Sequence, residues 1–486
     1  MRAHGPLLWA VAMITFLAGC GPKKGVDVRR ELDRLEREGQ FRKAEALLDS
    51  VRANGKISAE LERALSWEKE KLRRIRIDYH LTREDLLAEL RKRVADFREE
   101  ELATWEREGK LDRRLIDGEM RYLYASVSNL FWRYPELRAR QLPKPERAKE
   151  ERDLYVLLRQ ILDARQSTAD RFVLPQRFRC THVVQVKADA VPPGKVVHCW
   201  IPYPRAFPFQ CDIRLVSSDP PLSWLDEPES PIRSAYLEKA AEPGKPTVFR
   251  VTYEYTSYAT VNVLDPNRVA PYDTTSPLYR YYTAERPPHI VFTKEMRALS
   301  DRVVGREKNP LRIARAIYDW VVENLLYSYA HEYSTLSNIS QFVLEHRYGD
   351  CGQKALFYMT LCRLNGIPAR WQSGWVIRPG SKSIHDWCEI YIPPYGWIPV
   401  DPDRGAWAHH YLTTLAPEEK QTVVDFFFGN LDQFRMAANC DHQAELYPPK
   451  QSFRSDDVDF QRAELECDGQ NLYFDQFDYD LEVELL

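Results

Sequence analysis

Charge of one sign is missing from this sequence. Its 69 Lys and Arg nearly balance its 72 Asp and Glu, for a net charge of −3, so its overall field gives no case for binding nucleic acid. A membrane span is missing too: the apolar run from Leu7 to Leu17 falls short of the ~20 residues a spanning helix needs. No segment recurs at a fixed period, which excludes a repeat array. Metal-ligand patterns are thin. His385-x-x-Cys388 and Cys440-x-His442 have zinc-like spacing, but on an alternating strand the first pair points to opposite faces. The acidic C-terminal stretch lacks the ligand order of a calcium loop. No metal and no cofactor is expected.

What is present is globular material. The chain has 486 residues, 44% hydrophobic and 12% aromatic, enough for two to four domains. Residues 1–20 read as a targeting segment: Arg2, the apolar run, then Leu17-Ala-Gly-Cys20. That ending resembles a bacterial lipobox, which implies acylation of Cys20 and anchoring of an extracytoplasmic protein to a membrane of the cell envelope. A plain secretory signal is the alternative.

Residues 21–175 read as helical. Leu32, Leu35, Phe41, Ala44 and Leu48 keep a helical spacing, and Thr82 with Asp85 forms a capping box. Leu115 to Tyr134 reads as a further helix, and Pro143-Lys-Pro as a break. From 176 to 265 the pattern alternates between Pro- and Gly-rich turns, which predicts an antiparallel β-sandwich. Residues 266–486 are expected to form a catalytic domain. Asn309-Pro310 starts a helix there. The tail from Ser455 holds eleven acids and one base, yet its interleaved Leu472, Phe474, Phe477, Tyr479, Leu481 and Val483 argue for docking.

The chemistry-bearing stretch is Tyr348-Gly-Asp-Cys-Gly352, a tight turn running into a helix with Asp350 as cap. A thiolate at a helix N-terminus is favoured by the free N–H groups, which suits Cys351 to a nucleophile; an inert buried thiol is the alternative. His385 to Ile392 alternates as a strand, and Pro393-Pro394-Tyr395-Gly396 turns it into a returning strand ending at Asp401-Pro402. A hairpin centred on Pro393 sets His385 near Asp401, within a residue or two of register. Cys351, His385 and Asp401 then supply a thiol, a base and a carboxylate to orient the base. The backbone N–H of Cys351 is the simplest oxyanion donor, with Gln341 or Gln353 as side-chain candidates. Trp387 and Trp397 are expected to wall the substrate cleft, and Arg378 to Ser383 to form a flexible loop beside it. Some of the remaining cysteines, such as Cys440 with Cys467, are candidates for disulfides.

Together with Asn365-Gly-Ile-Pro-Ala-Arg370, His385-Asp-Trp-Cys-Glu389 and Gly396-Trp-Ile-Pro-Val-Asp-Pro402, these motifs resemble the transglutaminase-like superfamily over roughly residues 309–405. The resemblance places the family's catalytic residues at Cys351, His385 and Asp401. It implies an α+β fold, with a papain-like core in which a cysteine-bearing helix packs on an antiparallel sheet. It also implies thiol chemistry on peptide or side-chain amides of a peptide or protein substrate, by hydrolysis or acyl transfer. An inactive binding or scaffold lipoprotein using the same cleft is the rival reading.

Overall fold

A computed structural model of the chain describes residues 22–53, 57–142 and 147–486. The leader with Cys20, and the break at Pro143-Lys-Pro, lie outside the described residues. Among the described residues no helix is long and apolar enough to cross a membrane. The chain divides into two compact units.

The first unit takes in the described residues up to 142, joined by 286–291 and 327–338. It is mainly helical, and Phe41, Leu48, Leu86, Leu90, Leu102 and Leu130 are among its fully buried apolar side chains. Thr82 and Asp85 make the expected reciprocal cap: the Asp85 N–H donates to Thr82 Oγ1, and the Thr82 N–H donates to Asp85 Oδ2. The helix expected over 115–134 is not continuous. Arg113–Ile116 and Glu119–Tyr122 form a hairpin, and the helix begins only at Ser126. Asp117 and Gly118 both have positive φ, as a two-residue hairpin turn of the Asp-Gly kind requires. The hairpin lies against Gly39, where a Cβ would meet Leu115 O at 2.1 Å.

The second unit holds a β-sandwich and the core that carries the candidate site. In one sheet, strand Thr247–Val261 pairs with Phe172–Val186 and with Gln210–Asp219. In the other, Val196–Pro202 lies beside Ser234–Ala240. The sandwich does not close within 176–265. Phe477–Leu485 pairs with Phe172–Val186, and Glu464–Cys467 pairs with Val196–Pro202. The tail expected in the catalytic domain is therefore sandwich strand. Period 2 explains its composition: Phe477 and Leu481 are buried, while Asp478, Asp480, Glu482 and Glu484 face out and leave a charged edge that resists further pairing.

The core contains helices α1 (Pro310–Asn324), α2 (Cys351–Leu364) and α3 (Pro402–Tyr411). Its sheet contains β1 (Ala369–Arg378), β2 (Ser381–Ile392), β3 (Gly396–Val400) and β4 (Arg435–Asn439), in the antiparallel order β3-β2-β1-β4. Asn309 caps α1 by accepting from the N–H groups of Leu311 and Arg312. Helix α2 is buried from Gly352 to Arg363, as a helix with few polar positions on any face must be. The expected loop from Arg378 to Ser383 is instead a hairpin tip, because Arg378 pairs with Ser381 and only Pro379-Gly380 turns. The eight described cysteines are all free thiols. Cys440 lies in a cluster around Trp387, whereas Cys467 lies in the sandwich core, so that expected pair does not form.

Gly374 sets the spacing between β1 and β4. A Cβ there would meet Met436 O at 1.9 Å, and the ladder shifts register at Ser373/Gly374. Gly374→Ala is expected to lower stability by about 1–3 kcal/mol through this clash with fixed backbone, measured as the unfolding midpoint in urea.

Candidate active site

The site is built where α2 begins, where β2 passes it, and where β3 gives way to α3. Asp350 caps α2 through Oδ1, which accepts from the Gln353 N–H at 3.0 Å; Gln353 Oε1 accepts from the Asp350 N–H at 3.2 Å. Cys351 is the first residue of the helix and keeps part of its surface open. The helix ends at Asn365-Gly366, where the Ile367 N–H bonds back to Cys362 O.

Pairing of β2 with β3 runs from Cys388↔Val400 to Ile392↔Gly396. That register is centred on Pro394, one residue past the sequence estimate, so Asp401 comes into line with Trp387 and reaches His385 on the diagonal. His385 Nε2 lies 2.8 Å from Asp401 Oδ2. A carboxylate can only accept, so the ring proton is on Nε2 and Nδ1 carries the lone pair. Asp401 is fully buried and has two further partners. Its Oδ1 accepts from the Arg404 N–H at 3.0 Å and caps α3, and its Oδ2 accepts from Arg435 Nη1 at 2.9 Å. Arg435 also reaches Asp432 Oδ2 at 3.4 Å, and Arg378 Nη2 meets the same oxygen at 2.9 Å. His385 and Arg435 hold the Asp401 carboxyl well below the usual carboxylate range against the penalty of burial. Burial pulls His385 below its ordinary value, with Asp401 pulling the other way.

Cys351 has a different neighbourhood. Its Sγ donates to Asp386 Oδ2 at 3.3 Å. Burial of the sulfur, first of all, and then the neighbouring carboxyls of Asp386, Asp350 and Asp403 push the thiol well above its ordinary value; the Asp386 backbone N–H works against them. Lys354, buried one turn into α2, pairs with Asp403 at 2.8 Å. The structure thus brings His385 and Asp401 into direct contact, and joins Cys351 to the residue after His385 rather than to the ring.

The two tryptophans divide. Trp387 is fully buried and does not wall an open cleft. It lies nearly parallel to the His385 ring at 6.0 Å, donates through Nε1 to Gln372 Oε1, and carries the Arg435 guanidinium over its face at 4.8 Å. Its position is behind the imidazole because Phe207, Phe209, Leu431 and Cys440 pack over that face of the sheet. Trp397 does line a cavity of about 270 Å3, with Phe172, Phe209, Arg370, Glu389 and Tyr391. Glu389 is four residues along β2 from His385 on the same face, about 13 Å away at strand rise. Of the oxyanion candidates, Gln341 is engaged by Thr293 and Glu345, whereas Gln353 Nε2 is buried without a hydrogen-bond partner.

Sequence reasoning missed Asp386, Asp459, Gln461 and Arg435. Asp386 follows His385 in β2, where strand alternation turns it to the other face, and its carboxyl is where the cysteine sulfur is found. Arg435 had one signal: with Asp432 it is one of the two charges between Phe426 and Ala438. Asp459 had none within so acidic a tail. Arg435→Met is expected to cost about 3–5 kcal/mol, because it takes a cationic partner from two buried carboxylates. Asp401 has a depressed folded-state pKa, so its stabilisation is present above the unfolded value of about 4 and is lost as pH falls toward the folded one. Arg435→Met raises that folded value, and acid unfolding followed by circular dichroism should move to higher pH.

Residues 297–402 match the model of the transglutaminase-like superfamily. An uncharacterized protein of Haemophilus influenzae is 25% identical over 227 residues, 40% of this chain and 59% of that one. The uncharacterized protein YebA of Bacillus subtilis is 24% identical over 131 residues, 23% of this chain and 18% of that one. The chain thus spans less than two thirds of either relative. Among solved structures, a candidate cysteine protease from Cytophaga hutchinsonii aligns over 64% of this chain and 91% of its own, at 17% identity and a TM-score of 0.42. The periplasmic domain of TgpA from Pseudomonas aeruginosa aligns over 55% and 96%, at 16% identity and a TM-score of 0.24. The chain thus holds, within a mixed α and β fold, a region that matches the transglutaminase-like superfamily.

Proposed function

We propose that this chain is a cysteine-dependent enzyme of the cell envelope that acts on peptide or side-chain amides through a thioester on Cys351. The observation that carries this reading is the His385–Asp401 pair. A buried carboxylate fixes the Nε2–H tautomer and leaves Nδ1 as a base, on a ring backed by Trp387. A neutral imidazole and a neutral thiol call for general-base catalysis rather than a standing ion pair. His385 Nδ1 takes the Cys351 proton as sulfur bonds to the carbonyl carbon. The backbone N–H of Cys351 steadies the oxyanion, with Gln353 Nε2 as a second donor. His385 then returns the proton to the leaving amine, and the C–N bond breaks. Water or a second amine, deprotonated by His385, releases the acyl group and restores the thiol. The substrate is a peptide or protein, no cofactor takes part, and acylation at Cys20 holds the protein at the membrane surface.

One observation favours the second reading, a binding protein that has lost catalysis: the Cys351 hydrogen bond goes to Asp386, and the thiol is pushed up. Iodoacetamide labelling with peptide mapping separates the two. Catalysis predicts preferential modification of Cys351 that slows when His385 is replaced by Ala; an ordinary thiol rate in both proteins would refute it. On any amide substrate found, Asp401→Asn should reduce turnover on the order of a thousandfold by releasing the tautomer. Hydrolysis and transfer are told apart by offering a primary amine and weighing the product. For the anchor, Cys20→Ala should abolish incorporation of labelled palmitate and release the protein from membranes.

A further inference from the structure

The carboxyl of Asp386 has no part in the scheme above, yet it touches the sulfur. Its Oδ2 accepts from Cys351 Sγ at 3.3 Å, and its Oδ1 accepts from Gln461 Nε2 at 2.7 Å. Across β1 and β2, Asp386 pairs with Ser373, whose Oγ donates to Asp459 Oδ1, and this brings its carboxyl against that of Asp459. Both acids are buried. Two carboxyl groups so placed must share a proton, since like charges so close cannot both ionise. The donors around the pair decide where that proton lies. Asp459 Oδ1 accepts from Ser373 Oγ, from Trp371 Nε1 at 3.3 Å and from Asn439 Nδ2 at 3.5 Å. Those bonds favour the charge on Asp459 and the proton on Asp386. Burial, then the charge of Asp459, acts in the same direction on Asp386.

We propose that Asp386 is a further catalytic residue, whose carboxyl is kept protonated by Asp459 so that a thiolate can form on Cys351 where an ionised neighbour would oppose it. This rests on the reading of Cys351 as the nucleophile. In the resting thiol, S–H donates to Asp386. As the sulfur proton passes to His385, Asp386 keeps its own proton, and its backbone N–H meets the growing negative charge. Asp459 is the positioning residue: it remains a carboxylate and holds the Asp386 proton away from water. Other charges around the sulfur come from Asp350 before α2 and from Asp403 on α3 with its partner Lys354; His385, next to Asp386 on β2, is paired with Asp401. Arg404 and Arg435 stand beyond the imidazole.

The test is the rate of Cys351 carboxymethylation by iodoacetamide in the full chain, read by peptide mass across pH, for Asp386→Asn, Asp459→Asn and the double variant. Asp459→Asn offers an amide that donates to Asp386 and ionises it, so labelling at about pH 8 should slow about tenfold, equivalent to one pKa unit. Asp386→Asn keeps a neutral group beside the sulfur and leaves the charge on Asp459, so labelling and its midpoint should stay close to those of the unaltered chain. The double variant should return the slowed rate of Asp459→Asn to that of the unaltered chain, a suppression that a merely structural role would not produce. Urea unfolding checks each fold; if Asp459→Asn does not fold, Asp386→Asn decides, because a midpoint moved to lower pH would show that Asp386 was ionised and overturn the inference. Single variants that respond in the same direction, or a double variant as slow as Asp459→Asn, overturn this inference while His385-dependent labelling leaves the proposed function standing. Absence of preferential Cys351 labelling in the unaltered chain overturns both.

Discussion

One buried carboxylate ties the site to the fold. Asp401 ends β3, caps α3, orients His385 and accepts from Arg435. An unpartnered carboxylate at that depth would cost several kcal/mol. It is tolerated because a helix N-terminus, an imidazole and a guanidinium converge on its two oxygens. Arg435 arrives on β4, which can pair closely with β1 because residue 374 has no side chain. The imidazole is held as part of the same charge balance that lets the core close.

The thiol side is organised on a different principle. Helix α2 offers its N-terminal N–H groups to Cys351, but Asp350, Asp386 and Asp403 crowd the same end. Burial, joined by those acids, keeps the thiol protonated in the resting protein. Such a sulfur stays protonated until a base removes its proton, which fits a ring whose own basicity is lowered by burial. The acid pair of Asp386 and Asp459 gives that arrangement a means of limiting how much negative charge faces the sulfur. The cost of burying so many carboxyl groups is offset locally: Lys354 meets Asp403, and Gln461, Ser373, Trp371 and Asn439 hold the pair.

Much of the local structure was legible. Asp350, Asn309 and Thr82 cap where their side chains predict, since capping depends on residues three apart and on little else. The β2–β3 hairpin was legible to within one residue of its centre, and the diagonal reach of Asp401 absorbed the error. Legibility failed where identity alone does not say what covers a face. Trp387 alternates correctly with His385, yet packing by Phe207 and Phe209 turns an expected cleft wall into a buried support. The 113–122 hairpin was hidden because its apolar residues also fit a helical period, and only the Asp117-Gly118 turn separates the two readings.

The sequence by itself determined the local grammar: a capped helix opening on Cys351, a strand bearing His385, a hairpin returning to Asp401, and alternating strands before them. These follow from neighbours in the chain, where hydrogen bonding and side-chain period act over a few residues. Tertiary structure alone decided that the acidic tail completes the sandwich, that Arg435 joins Asp401, and that Asp386 meets both Cys351 and Asp459. Those partners lie tens of residues apart or more, and their contacts depend on which surfaces become buried together. Burial also settles which carboxyl keeps its proton, because the strength of a charge depends on what replaces the water around it.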